Sequence, residues 1–320
     1  MKIVKPIYYK DFKCIAGDCP DSCCQGWEVD VDDKTLSSYS NVTDSIKDKI
    51  MSVLSKDEFD NTIFTLTKDK RCPFLNNENL CDIHACIGQE YTPITCKNFP
   101  RFFNSFGATK EIGISFSCPV AADMIWNLGE SLSFEEEMNS DFPDLNDIDA
   151  SVYFKLKKAR EEAFYIAQNQ QFNIKDRMLK LLDFGLNIQN EIDFYNEGTQ
   201  EIDFFDVFNN IEVINNEWVE KVNNPKNNKI VNSYSNENVL TYFIYKYFLL
   251  AVYDYDVLSK IKMAVIGVLI TTYFGYDSWT IHLWSKETEH SQYNMDRYKN
   301  LLKNANCLSV NELKKRIENL

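Results

Sequence analysis

The chain has 320 residues, of which 44% are hydrophobic and 14% aromatic, with 10 glycines and 8 prolines. That is enough apolar material to core one large domain or two ordinary ones; it excludes a disordered chain, and the scarcity of Gly and Pro favours helices over a turn-rich β-sandwich. A formal net charge of −14 repels a phosphate backbone and an anionic lipid surface, which argues against nucleic acid and membrane as partners.

Residues 1–10 carry no apolar core of an export signal. A cytoplasmic, reducing setting is therefore expected, in which ten cysteines serve as thiols or metal ligands rather than disulfides. Trp27-Glu28-Val29-Asp30-Val31 alternates apolar and polar, as a strand does. Asp32 or Asp33 then caps a helix expected over 33–54. Thr62-Ile63-Phe64-Thr65-Leu66-Thr67 alternates again. Cys72-Pro73-Phe74-Leu75 and Leu80-Cys81-Asp82-Ile83 flank the turn-forming Asn76-Asn77-Glu78-Asn79, which predicts a small hairpin with one cysteine on each arm. A third alternation, Glu111-Ile112-Gly113-Ile114-Ser115-Phe116, runs up to Cys118-Pro119, where Pro119 suits the first turn of a helix reaching about Leu128.

Residues 139–149 are polar and acidic and predict a linker. Beyond them the pattern is helical at about 149–169, 173–196, 201–220, 235–256, 259–275, 287–303 and 309–319, with a break over 223–232. Two stretches are strongly apolar. Met263 to Tyr276 is shorter than the roughly 20 residues of a spanning helix, and Val239 to Tyr253 carries Lys246. Both predict buried helices, with no membrane insertion. The fold class is mainly α: a small, irregular, β-containing, cysteine-rich N-terminal metal domain (1–138) and a C-terminal helical bundle (149–320). Nothing in the sequence specifies an oligomeric state.

Nine of the ten cysteines fall in the first 118 residues. Cys14-x4-Cys19-x3-Cys23-Cys24 forms one group, Cys72-x8-Cys81-x4-Cys86-x9-Cys96 a second, and Cys118 closes the set. Soft thiolates in a tetrahedral array select zinc or an iron–sulfur cluster, and short loops lower the entropic cost of assembling them. The spacing is neither a zinc ribbon's paired Cys-x2-Cys nor the Cys-x3-Cys-x2-Cys of radical adenosylmethionine enzymes, since Gly26 stands where the third cysteine would. Neighbouring side chains diverge, so Cys23 and Cys24 do not both suit one tetrahedral ion. A thiol–disulfide switch at this pair is opposed by ring strain. Cys307 is isolated and reads as packing. His84 lies within the second group and could ligate or hydrogen-bond a sulfur; His282 and His290 have no metal partner in sequence and read as structural.

The ordered motifs Cys14, Cys19, Cys23-Cys24-Gln25-Gly26-Trp27, Cys72-Pro73-Phe74-Leu75, Cys81-Asp82-Ile83-His84, Cys96-Lys97-Asn98-Phe99-Pro100-Arg101 and Ser117-Cys118-Pro119 resemble those of the flagellin lysine N-methylase family. Over about residues 8–125 the chain is also similar to a wider group of cysteine-rich zinc- or iron-chelating proteins. The resemblance implies S-adenosylmethionine as methyl donor, a [4Fe-4S] cluster and lysines of flagellin as substrate. It places the metal-binding positions at Cys14, Cys19, Cys23, Cys24, Cys72, Cys81, Cys96 and Cys118; Cys86 matches none of the motifs. The alternative is a zinc- or iron-chelating binding or electron-transfer protein without methyl transfer.

In-line methyl transfer to an amine requires alignment of the two centres and removal of a proton from lysine. Tyr8, Tyr9 and Tyr91, beside the cysteine motifs, are the candidate catalytic residues. Trp27 and Phe99 offer aromatic faces to a sulfonium cation, and Arg101 can grip a carboxylate bidentately, so these three are the candidate cofactor-binding residues. No G-x-G occurs in the chain, so the usual Gly-rich nucleotide loop is missing.

Overall fold

The computed structural model describes residues 1–320 except 58, 141, 143–147, 194, 196 and 227. In chain order the elements are β1 (Lys2–Pro6), β2 (Val29–Asp30), α1 (Asp33–Tyr39), α2 (Ile46–Ser52), β3 (Leu54–Lys56), β4 (Thr62–Phe64), α3 (Asp82–Ile87), α4 (Ile94–Asn98), β5 (Arg101–Phe106), β6 (Thr109–Ile114), α5 (Pro119–Trp126) and β7 (Phe134–Met138). Helices follow throughout: α6 (Ala150–Gln168), α7 (Ile174–Ile192), α8 (Asp206–Asn209), α9 (Asn216–Asn223), α10 (Tyr234–Tyr247), α11 (Ala251–Asp254), α12 (Val257–Phe274), α13 (Ser278–Glu289), α14 (Gln292–Asn304) and α15 (Val310–Glu318). The fold is mainly α with a small strand-containing cysteine-rich region, as the sequence predicts.

The chain forms two compact units. One, the cysteine unit, is Lys13–Phe102 with Cys118–Val120; the other is Met1–Phe12, Phe103–Ser117 and Ala121–Leu320. The sequence placed its division elsewhere, at 1–138 against 149–320. The difference lies in the strands: β1, β5, β6 and β7 form one sheet, ordered β5-β6-β1-β7, and that sheet belongs to the helical unit. The Tyr245 hydroxyl of α10 donates to the carbonyls of Val4 (2.8 Å) and Ile112 (3.0 Å), and its ring stacks on Phe134. The predicted linker over 139–149 falls largely outside the described residues.

Within the cysteine unit, β2, β4 and β3 make an antiparallel sheet with Phe64 opposite both Val29 and Leu54. Their inner faces meet Tyr39, Ile46, Ile50, Cys72, Phe74 and Ile83 in one apolar core. The helix expected over 33–54 is two helices. Asp32 caps the first, accepting the Thr35 amide at 3.0 Å. The hydroxyls of Ser37, Ser38 and Ser40 turn back onto carbonyls of the preceding turn, a competition that weakens a helix, and Asp44 starts the second by accepting the Ile46 amide at 3.0 Å.

In the helical unit β1 runs parallel to β6 and antiparallel to β7. Among the described residues, three buried ion pairs fasten its elements. Arg160 of α6 grips Glu111 of β6 through both guanidinium nitrogens, at 2.7 and 2.5 Å. Arg177 of α7 meets Glu237 of α10 at 2.5 Å. Lys246 of α10 meets Glu289 of α13 at 2.5 Å, with Ser115 and Tyr247 also donating to that carboxylate. Helix α12 is apolar and long enough to cross a membrane by length and composition, but its side chains are buried in the core, against α10 and α7 among others.

Two further departures have local causes. The helix expected over 201–220 is two short ones, because Glu287 captures the amides of Ile214 (2.9 Å) and Asn215 (2.6 Å) in the loop between them. Helix α13 escaped the sequence reading because it has no apolar stripe: His282, Ser285, Lys286 and Glu287 are as buried as Ile281, Leu283 and Trp284.

The Arg177–Glu237 pair gives a stability test. Glu237→Ala leaves a buried guanidinium without its counter-charge and is expected to cost about 3–5 kcal/mol, whereas Lys299→Ala, at an exposed pair with Asp296, should change stability by less than about 1 kcal/mol; chemical denaturation measures both. A second test concerns His290, at the end of α13, whose burial lowers its pKa to about 4. The unfolded histidine binds a proton near pH 6.5 and the folded one does not until about pH 4. Stability should therefore fall as pH falls between those values, by up to about 1.4 kcal/mol per unit for this one group. His290→Gln should flatten that slope; an unchanged slope would remove His290 as its source.

Candidate metal centre

The cysteine hairpin forms from its own turn chemistry. The Asn76 side chain accepts the amides of Glu78 (2.9 Å) and Leu80 (3.0 Å), and Asn79 adopts the left-handed conformation the turn needs, with φ 56°. Leu75 and Cys81 then pair across the arms. The arm of Cys72 is tied to the first cysteine group: the Cys72 amide donates to the Cys24 carbonyl, and the Gly26 amide to the Lys70 carbonyl, each at 2.8 Å. Gly26 has φ 95°, which a side chain would strain. The loop from Cys14 to Cys19 closes on the hairpin turn through Gly17, where a Cβ would lie 2.6 Å from the Glu78 carbonyl oxygen.

This folding brings four sulfurs under one another's influence. Cys96 lies in the electrostatic field of Cys72, Cys81 and Cys23, Cys72 in that of Cys81, and Cys81 in that of Cys23. Burial is the larger cause, and together these push the Cys96 thiol far above its ordinary value although the residue has an exposed face. The buried Cys72 thiol is pushed up to about 11. Main-chain amides oppose the effect at two sites. Those of Phe74 and Leu75 act on Cys72, and those of His84 and Ile83, at the start of α3, act on Cys81. Amides two and three residues beyond a cysteine lie near its sulfur and favour the thiolate that a metal requires. Cys14, Cys19 and Cys23 form a second group: Cys23 and Cys14 both act on Cys19, the Cys14 sulfur accepts the Ala16 amide at 3.4 Å, and the Cys19 thiol donates to the Asp21 carbonyl at 3.2 Å.

The donor set therefore fits a thiophilic ion or cluster in type. Among the described residues, no three Cys, His, Asp or Glu side chains are drawn together closely enough to hold an ion. Cys24 is half-buried and packs against the apolar core, diverging from the exposed Cys23. Cys118 is buried, and Cys86 is exposed at the end of α3. His84 exposes its side chain and acts on Cys81 through its amide, not its ring. His282 is fully buried with Nδ1 3.2 Å from the Phe116 carbonyl, a structural placement.

The candidate catalytic and cofactor residues divide between the units. Tyr91, Trp27, Phe99 and Arg101 belong to the cysteine unit, and Tyr8 and Tyr9 to the other. Trp27 and Phe99 stand ring to ring, centroids 6.0 Å apart. Tyr91 packs partly buried against the cysteine unit's core. Tyr8 is buried, and burial raises its hydroxyl far above the ordinary phenol value. It stays protonated, which opposes the proton-accepting role read from the sequence. What sequence reasoning missed is the amide donors and one buried side chain beside the sulfurs, Tyr39. The Cys-Pro and Cys-Asp junctions at turn and helix start were the available signal for the former; for Tyr39 there was none.

No solved structure matches the chain. Three curated proteins do, over less than half of it. The flagellar biosynthetic protein FliU of Salmonella muenchen is 26% identical over 143 residues, 41% of this chain and 85% of that protein. The lysine-N-methylases of Salmonella choleraesuis and Salmonella typhimurium are each 24% identical over 148 residues, 42% of this chain but only 35% of theirs. Residues 13–116 match the family described as "Putative zinc- or iron-chelating domain". Near its N-terminus the chain is thus similar to a family described as zinc- or iron-chelating, and it is similar to curated lysine-N-methylases and a flagellar biosynthetic protein.

Proposed function

We propose that this chain is a protein-lysine N-methyltransferase of the cytoplasm, using S-adenosylmethionine, that acts on flagellin and is built around a thiolate-bound metal centre of the [4Fe-4S] type. The observation that carries the reading is the convergence of the Cys72–Cys81 hairpin on the first cysteine group, which brings Cys23, Cys72, Cys81 and Cys96 within electrostatic reach of one another, inside a region that matches a family described as metal-chelating and within a chain similar to lysine-N-methylases. These four would hold the metal, with Cys14, Cys19, Cys24 and Cys118 as the remaining cysteines of the motif. A bound cluster or zinc ion supplies Lewis acidity and cross-links the loops. The chain's own part is to bind and orient. The Trp27 and Phe99 faces attract a sulfonium cation, Arg101 pairs with a carboxylate, and Tyr91 is the remaining phenol of the cysteine unit's candidates for receiving the lysine proton. Ten cysteines in one chain accord with a reducing compartment.

A second reading, a zinc- or iron-chelating module without methyl transfer, is favoured by the absence of any G-x-G loop and by a match that spans only 35% of the methylases' length. Two measurements separate the readings. Anaerobically purified protein should contain metal and absorb broadly in the visible if the centre is iron–sulfur, or be colourless with stoichiometric zinc otherwise. Cys→Ser at 23, 72, 81 or 96 should each cost about 100-fold or more in metal retention, while Cys86→Ser and Cys307→Ser retain it; retention by all four would remove this ligand set. Metal-loaded protein incubated with methyl-labelled S-adenosylmethionine and flagellin should label lysine, and Trp27→Ala and Arg101→Ala should lower that rate at least about tenfold. A fully loaded protein that leaves flagellin unlabelled would leave the chelating reading.

A further inference from the structure

Tyr39 ends α1 fully buried, 0% exposed, in the core of the cysteine unit, its ring 6.4 Å from that of Phe64. Packing accounts for the ring but not for the hydroxyl. Its oxygen is shielded from solvent and has no hydrogen-bond partner among the described residues. An unpaired buried hydroxyl costs about 1–3 kcal/mol, and phenylalanine would fill the same space without it.

Cys72 belongs to the same apolar core as Tyr39, and Cys81 packs against that core; Cys96, Cys81, Asp32 and Cys72 are the ionisable groups near enough to act on the Tyr39 hydroxyl. Asp32 is already engaged: its carboxylate accepts the Thr35 amide and hydroxyl and the Ile94 amide, at 3.0, 2.7 and 2.9 Å. The other three are members of the four-sulfur set. A neutral thiol is a weak acceptor, but a metal-bound thiolate is a strong one, and hydrogen bonds to ligand atoms orient them and tune the metal.

We propose that Tyr39 is a positioning residue of the metal centre, its phenolic O–H donating to a ligand thiolate among Cys72, Cys81 and Cys96. This rests on the metal-binding reading above and extends it to a residue outside every cysteine motif. The hydroxyl favours the ionised, metal-bound sulfur over the protonated one, so it raises metal affinity. It also lowers the energy of the sulfur lone pair, which moves ligand-to-metal charge transfer to shorter wavelength.

The test uses the full chain, metal-free and reduced, titrated with cobalt(II) and then competed with zinc(II). Tyr39→Phe should keep the wild-type cobalt stoichiometry, bind about tenfold more weakly and show its thiolate-to-cobalt band at longer wavelength. Tyr298→Phe, a buried tyrosine of the helical unit, should match wild type in both. Metal-free Tyr39→Phe should unfold at or above the wild-type midpoint, because it loses only an unpaired hydroxyl; a clear loss of metal-free stability would mean a structural partner and overturn the proposal. Wild-type affinity and band position in Tyr39→Phe would overturn it too, with metal binding intact. A wild-type protein that forms no thiolate-to-cobalt band would instead overturn the metal reading, and Tyr39's role with it.

Discussion

Sulfurs that lie in one another's field cannot all ionise without a cation among them. The structure of the cysteine unit follows from that constraint. Its hairpin, the strap from Cys72 to Cys24 and the close approach at Gly17 converge several loops on a small volume. In that volume burial and mutual repulsion raise the proton affinity of Cys72, Cys81 and Cys96. Left to themselves, such thiols stay protonated and inert. The amides turned toward Cys72 and Cys81 offset part of the penalty, and a divalent ion or cluster would remove the rest. The apolar core beneath is small and shares Cys72 with the sulfur set. The same residues thus carry the core and the candidate site, and a substitution at either is felt at both.

The helical unit solves a different problem. Its central helices α10 and α12 are buried on nearly all sides, so neither has a polar face to turn to water. Charges that enter this interior are paired: Arg160 with Glu111, Arg177 with Glu237, Lys246 with Glu289. Each joins elements far apart in sequence, so each works as a geometric pin whose partner cannot be removed alone. The sheet of β1, β5, β6 and β7 belongs to this unit for the same reason, with Glu111 and Ser115 supplying two of the polar anchors.

Legibility differed by element type. Residues 72–81 were readable as a hairpin because every determinant is local: turn-forming side chains between two short apolar arms. The helices α6, α7 and α15 were readable from their apolar periodicity, and α12 from its nearly unbroken apolar run. Strands β1 and β7 were not, since Lys2–Pro6 pairs with β6 and with Phe134–Met138, both more than about a hundred residues away. Helix α13 was not, since its buried Glu287 and His282 find their partners on other elements. Within the candidate site the cysteines and their two groups were visible in the spacing; Tyr39 looked like any aromatic at a helix end.

By itself the sequence determined the thiol-rich composition of the N-terminal part, the hairpin that carries Cys72 and Cys81, and the helical character of the rest, because each is set by residue type and short-range periodicity. Only the tertiary structure decided which sulfurs share a field, which amides face them, that the Tyr39 hydroxyl is buried beside them, and that the terminal strand belongs with the helices. Those depend on contacts between residues tens to hundreds of positions apart, for which spacing along the chain carries no record.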